Sequence, residues 1–194
     1  MSNSLEEQAK AIILKHCKIE DKSFRILWEH SVVIKDACIR ILEANPDITV
    51  NKEELILGAL LHDIGIIYTK APDLGCNGKQ NYIEHGYLGH DILMKEGLSN
   101  IAPFCERHTG TGISKQDIIN NELPLPQRDL MPISEEEKIL CYADKFFSKS
   151  DKDLSTPKPL EKVIKSMSKY GKNNRNRFME MINRYGTKAI YNNK

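Results

Sequence analysis

The sequence predicts an all-α domain, on three observations. Apolar residues recur at the three- and four-residue spacing of a helix along nearly the whole chain. Three segments, starting at Asn51, Asn81 and Ser134, carry an N-cap residue with a Glu three positions on, the capping-box signature of a helix start. No stretch alternates at the period of two that a half-buried strand needs, so no sheet is expected.

Taken in order, Leu5 to Cys17 forms the first expected helix, with Leu5, Ala9, Ile12, Ile13 and His16 on its apolar pattern. Phe24 to Ala44 forms the second, ended by Asn45-Pro46-Asp47 because a residue before proline avoids helical angles. The Asn51 box opens a third helix to about Asp63, with Gly65 placed to stop it. Tyr68 to Lys79 reads as loop, punctuated by Pro72, Gly75 and Gly78. The Asn81 box opens a helix through Glu96, closed by Gly97, and a short helix up to His108 ends at Gly110-Thr111-Gly112. A second loop, Leu123 to Pro132, leads to the Ser134 box and a helix through Phe147. Pro157 and Pro159 mark a linker, after which Leu160 to Tyr170 and Asn174 to Tyr185 are two terminal helices.

The 194 residues, 40% hydrophobic and 28% charged, suit one globular domain over 1–150 with a basic helical extension over 151–194 packed on it or appended to it. Leu55 to Leu61, the longest apolar run, is too short to cross a membrane, and the N-terminus lacks the basic and apolar parts of a signal peptide. A cytoplasmic protein is expected. Five scattered cysteines without a Cys-x-x-Cys pair are neither a disulfide framework nor a zinc ribbon. Cys17, Cys38 and Cys141 are expected as buried thiols, and Cys105, three residues before His108, is a weak metal candidate. Net charge is +1, yet Lys145 to Lys194 holds thirteen Lys/Arg against four Asp/Glu, +9, leaving −8 in the rest. A phosphate-attracting surface and a solvated lysine face both fit that imbalance, and no recognition motif points to nucleic acid.

Chemistry concentrates at His62-Asp63, where an apolar helix runs directly into an imidazole and a carboxylate. A buried carboxylate costs several kcal/mol unless a positive partner sits beside it, and a divalent cation answers that need. Neighbouring residues on a helix project about 100° apart, so both side chains reach one ion only at a helix end. His30 shares a stripe with Leu27 and Ile34, and Asp144 shares one with Leu140 and Phe147. His85 falls in the first turn after Asn81 and His108 in the last turn before Gly110. Together these six are the expected metal ligands. His90 is the rival to His85, which is preferred, and His16 and His90 are expected as hydrogen-bonded core histidines.

His62-Asp63-Ile64-Gly65 resembles the signature of the HD superfamily of metal-dependent phosphohydrolases, and the order His30, His62-Asp63, His85, His108, Asp144 resembles its binuclear pattern. His85-Gly86, His108-Thr109-Gly110 and Glu136-Glu137-Lys138-Ile139 leading to Tyr142-Ala143-Asp144-Lys145 resemble the small HDIG-type proteins of bacteria and archaea, over Phe24 to Ser150. The resemblance implies an HD-domain helical bundle with extra C-terminal helices. It also implies two divalent ions (Fe, Mn, Ni, Zn or Mg), one on His30, His62, Asp63 and Asp144, the other on Asp63, His85 and His108. Asp63, His85 and His108 would be catalytic, with a water between the ions as nucleophile on a small phosphorylated substrate, a nucleotide above all. Lys145, Arg107 and Lys79 are candidate phosphate contacts. Ile66 stands where many relatives carry Lys, and the Gly-Tyr-Pro motif is absent, which argues against cyclic-dinucleotide phosphodiesterase and dinucleoside tetraphosphate hydrolase activity. The same ligand set also resembles the diiron HD oxygenases, for which Tyr68, Tyr82 and Glu29 are candidate lid or substrate contacts. A nucleotide-sensing domain without turnover is the third reading. A homodimer is compatible with the sequence.

Overall fold

The structure is a computed structural model that describes residues 2–150, 153–169 and 171–191. Its frame is helical, as the periodicity predicts. The helices are α1 (Ser2–Ile13), α2 (Lys22–Ala44), α3 (Lys52–Leu61), α4 (His85–Lys95), α5 (Ala102–Arg107), α6 (Lys115–Asn120), α7 (Glu135–Asp144), α8 (Leu160–Lys169), α9 (Lys172–Tyr185) and α10 (Lys188–Tyr191). The expected end of α8 at Tyr170 lies outside the described residues. No helix among them is long and apolar enough to cross a membrane.

Local chemistry explains the helix starts. The Asn51 side chain accepts from the amides of Glu53 and Glu54, and the Ser134 hydroxyl accepts from Glu137. At Asn81 both halves of the capping box form, but they open a 3-10 turn, Tyr82–Glu84, before α4 begins at His85. Sequence reading missed α6, whose Ser114–Asp117 box is reciprocal too. Its signal was the Ser-x-x-Asp spacing, which needs Asp accepted in place of Glu. The expectation of no sheet is corrected by β1 (Lys70–Ala71) and β2 (Cys76–Asn77), a two-rung antiparallel ladder inside the expected loop. Strands of two residues are too short to show alternation, so the period could not reveal them.

One core joins the helices. Leu27, Ile34 and Ile41 of α2, Leu55, Leu60 and Leu61 of α3, and Ile139, Leu140 and Tyr142 of α7 are all buried in it. The C-terminal helices share that core. Phe178 of α9 packs 5.8 Å, centroid to centroid, from both Tyr142 and Phe146, and Tyr185 lies 5.4 Å from Tyr142. Tyr142 donates from its hydroxyl to the Gly186 carbonyl at 2.7 Å, and Arg40 Nε of α2 donates to the Ala189 carbonyl at 3.0 Å. Phe178→Ala, which opens a cavity among these rings, is therefore expected to cost about 3–5 kcal/mol. Chemical denaturation would show this as a lower midpoint of one cooperative transition; a separate early transition would mean that α9 is only appended. A small second cluster, Ile118, Leu125 and Leu130 with Ile83 and Tyr87 against it, seats the segment 113–130 on the start of α4.

Two glycines let the backbones that bear the candidate ligands close in. Gly65 was expected to stop α3, but α3 already ends at Leu61 and Gly65 lies inside the 3-10 turn Ile64–Tyr68. Its role is closeness. A Cβ there would fall 2.0 Å from the His85 carbonyl oxygen and 2.5 Å from the Gly89 amide nitrogen. At Gly86 a Cβ would lie 2.9 Å from the Cys105 carbonyl oxygen. The segment after His62-Asp63, the start of α4 and the end of α5 thus meet backbone to backbone.

Candidate metal centre

His62 caps the C-terminus of α3, and Asp63 leaves helical geometry at φ −105°, ψ 6°, before the 3-10 turn Ile64–Tyr68. That break lets two adjacent side chains aim into one space, as the helix-end argument requires. His30 comes from the middle of α2, His85 from the first residue of α4, His108 from the C-cap of α5 and Asp144 from the end of α7. All six are buried.

They meet as two donor groups that share one residue. The first is His30, His62, Asp63 and Asp144; the second is Asp63, His85 and His108. Asp63 Oδ2 lies 2.8 Å from His62 Nε2 and 3.4 Å from His30 Nε2, while Asp63 Oδ1 lies 3.4 Å from His108 Nε2 and 3.5 Å from His85 Nε2. His30 Nε2 lies 3.0 Å from Asp144 Oδ1. Donors held at about 2.0–2.2 Å from a common ion sit roughly 3 Å apart, which these spacings match.

The histidine rings are oriented from behind. Nδ1 of His62 donates to the Ala59 carbonyl at 2.8 Å, that of His85 to the Tyr82 carbonyl at 2.7 Å, and that of His108 to the Cys105 carbonyl at 2.7 Å. A carbonyl only accepts, so each Nδ1 carries the proton, and the rings of His85 and His108, when neutral, turn a bare Nε2 into the cluster. Burial holds the rings of His85, at about 3, and His30, at about 4, in the neutral form, and lowers His108 as well. The Nε2 atoms of His85 and His108 then face each other at 3.1 Å with two lone pairs and no proton between them. Neither oxygen of the buried Asp63 has an aligned hydrogen-bond donor, nor has His62 Nε2. Such an arrangement is repulsive without a cation, and imidazole with carboxylate is a donor set that divalent metals take. The residues fit a metal site.

The surrounding charges point the same way. Burial works against ionising Asp63 and Asp144, but His62 and Lys149 around the first, and Lys145 and Lys149 around the second, hold both carboxyls well below the usual range. Burial likewise disfavours a charged His62, yet Asp63 and Asp144 raise that ring to about 9. In the metal-free chain, positive charge therefore gathers around two carboxylates, as a cation would.

Not every expected contact belongs here. Lys145 is at the site, donating from Nζ to Asp144 Oδ2 and to the His108 carbonyl, each at 2.8 Å. It braces the ligands. Arg107 instead pairs with Glu137 at 3.0 Å and does not line the cleft, and Lys79 is exposed and outside it. His90 pairs with Asp91, and His16 Nδ1 meets the Tyr68 hydroxyl at 2.8 Å, both away from the donor groups. Cys105 donates its thiol to the Leu61 carbonyl. Of the tyrosines and acid considered for a lid, only Tyr82 lines the cleft; Glu29 lines a separate shallow pocket beside Trp28. Sequence reading missed Lys149. Its Nζ lies 2.6 Å from Asp63 Oδ2, unaligned for a hydrogen bond but in ion-pair contact, with the side chain almost wholly enclosed. The one sequence cue was a lysine five residues after Asp144.

A cleft of about 1370 Å³ opens onto His85, His108, Asp144 and Lys149. The α9 helix buttresses its wall, since Thr111 donates from its hydroxyl to Asn174 Oδ1 at 2.9 Å and Arg177 Nη2 donates to the Gly112 carbonyl at 3.0 Å.

Comparisons with known proteins agree with this geometry. The family model of the HD domain matches residues 27–148, which hold all six donors. An uncharacterized protein of Methanocaldococcus jannaschii is 37% identical over 119 residues, 60% of this chain and 63% of that protein. A tRNA (cytidine(56)-2′-O)-methyltransferase of Picrophilus torridus is 31% identical over 144 residues, 74% of this chain and 36% of that protein. The chain thus spans less than two thirds of the length of either relative. No solved structure matches it. With buried His and Asp groups able to hold metal and a family match over well more than half its length, this chain belongs to the HD domain family.

Proposed function

We propose that the chain hydrolyses a small phosphate ester, a nucleotide or a related nucleotidyl phosphate, with two divalent ions held by the two donor groups. The observation that carries this reading is the pairing of those groups through Asp63 with a cation-lined cleft directly in front of them. HD superfamily members are mostly metal-dependent phosphohydrolases, which favours the same chemistry. The tRNA methyltransferase relative is in keeping with a substrate built from nucleotides.

Bound divalent ions supply Lewis acidity to phosphoryl oxygens and lower the pKa of a water toward neutrality. The chain's own residues do the rest. Asp63 offers one oxygen to each group, so it fixes the spacing between them. His85 and His108, locked by their carbonyl partners, present Nε2 without a rotamer to choose. Lys149 stands at the mouth of the donor cluster, placed to take a non-bridging oxygen of the substrate phosphate by a charge-assisted hydrogen bond. Lys145 keeps Asp144 ionised and in place.

Lys149→Met is accordingly expected to lower kcat about 10- to 100-fold while metal content stays at the wild-type level. Lys149→Arg should recover part of the loss, and a metal-free Lys149→Met protein would assign the lysine to assembly instead. The reading itself is tested by incubating the metal-loaded chain, without oxygen, with p-nitrophenyl phosphate and a panel of nucleotides. Metal-dependent release of phosphate or of the alcohol is expected. Oxygen uptake coupled to product would replace it with the diiron oxygenase, and tight nucleotide binding without product would replace it with a sensor.

A further inference from the structure

The cleft does not end at the metal donors. It runs past Lys149 and Ser150 to α8, where Lys162, Ser166 and Lys169 line its far wall. Spaced i, i+4 and i+7, the three form one stripe along the helix. Val163 and Met167, on the adjoining face, are buried and seat the helix on the core. All three lysines of the helix near this stripe, Lys162, Lys165 and Lys169, are exposed, but Lys165 does not line the cleft.

Charge along the cleft is uneven. Near the donors, Lys145 and Lys149 face the carboxylates of Asp144 and Asp63, which offset part of their charge. Of the three acids that line the cleft, Asp144 belongs to a donor group, Asp117 closes the capping box of α6, and Asp73 is exposed in the turn Pro72–Leu74. On the far wall, neither Lys162 nor Lys169 has an ion pair among the described residues. Concave walls of one sign concentrate their field, so two cations there act on a ligand more than two on a flat surface. Pockets for drug-sized ligands run about 300–1,000 Å³, so a cleft of about 1370 Å³ holds far more than one phosphate group. Lys162 and Lys169 also lie beyond residue 148, where the family match ends.

We infer that the α8 stripe is a second anion subsite, which makes the ligand a phosphate ester carrying a further phosphate away from the one at the metals, a nucleoside bisphosphate being the simplest case. This rests on the phosphate-ester reading of the metal centre. One molecule bridging both ends gains from the high effective concentration of its second phosphate once the first is bound.

Calorimetric titration of the metal-loaded full chain, at fixed ionic strength, with adenosine 5′-monophosphate and adenosine 3′,5′-bisphosphate tests it. The bisphosphate is expected to bind about tenfold more tightly, the size of effect that two exposed ion pairs supply. The double substitution K162Q/K169Q should erase that preference and leave affinity for the monophosphate within about twofold, because its other phosphate contacts are intact. K165Q, which removes the same kind of charge from the same helix outside the cleft, should keep it. Equal affinity of wild type for both ligands would overturn the subsite, as would a loss in K165Q matching that in K162Q/K169Q. Product assayed in the same samples separates the two claims. A preference without turnover sinks the hydrolase and keeps the subsite, whereas turnover without a preference does the reverse.

Discussion

Asp63→Ala is expected to yield a folded protein with almost no bound metal and turnover reduced by about a thousandfold or more. Asp63 is the one residue in both donor groups, so its removal strips an oxygen from each at once. The loss is also electrostatic. The carboxylate lies 2.8 Å from His62 Nε2 and 2.6 Å from Lys149 Nζ, and without it Asp144 alone is left to offset two buried cationic groups. Adding divalent ions to that environment would raise the repulsion further. Asp63→Asn is the informative companion, because it keeps the volume and removes the charge; it should lose metal nearly as completely. Elemental analysis of both variants beside wild type reads the effect directly. Wild-type metal content in either variant would show that Asp63 does not join the two groups.

Gly65→Ala is expected to be the most damaging single-methyl change among the glycines that bring the candidate ligands together, costing about 4 kcal/mol or more. The added Cβ would stand 2.0 Å from one backbone atom of α4 and 2.5 Å from another. Backbone cannot turn aside as the tip of a side chain can, so the segment Ile64–Tyr68 and α4 must separate. That separation carries His85 away from Asp63 Oδ1, 3.5 Å from it in the intact fold. Thermal unfolding should show a drop of about 10 °C or more for a chain of this size, and metal content should fall with it. Gly58→Ala is a useful contrast, since its Cβ would meet only the ring of Phe104, a side chain that can shift. A Gly65→Ala protein as stable as wild type would mean that α4 is not seated as described.

What the sequence disclosed follows from the kind of signal each feature leaves. The helical frame was legible because each long helix repeats its apolar period over several turns. The six candidate donors stood out because imidazole and carboxylate groups interrupt that period, at His30 between Leu27 and Ile34 and at Asp144 beside Leu140, and the structure gathers them into two buried groups able to hold metal. Lys149 left no such mark, since it follows α7 in an irregular segment where a lysine looks like any exposed lysine. Arg107 and Lys79 were misplaced for the same reason in reverse. Adjacency to a ligand in sequence says little about direction, and Arg107, next to His108, turns to Glu137 instead. Gly65 was expected to end a helix, whereas its actual contribution is the space it leaves. A close approach between distant segments has no local signature, and neither has a ladder of two residues.

The proposed hydrolase requires two ions that share Asp63. Crystals of the metal-loaded chain, with diffraction collected on both sides of the absorption edge of the bound metal, test that most directly. Two anomalous peaks are predicted in each molecule, one enclosed by His30, His62, Asp63 and Asp144 and the other by Asp63, His85 and His108. A single peak, or none within reach of these side chains in a protein that still cleaves phosphate esters, would contradict it.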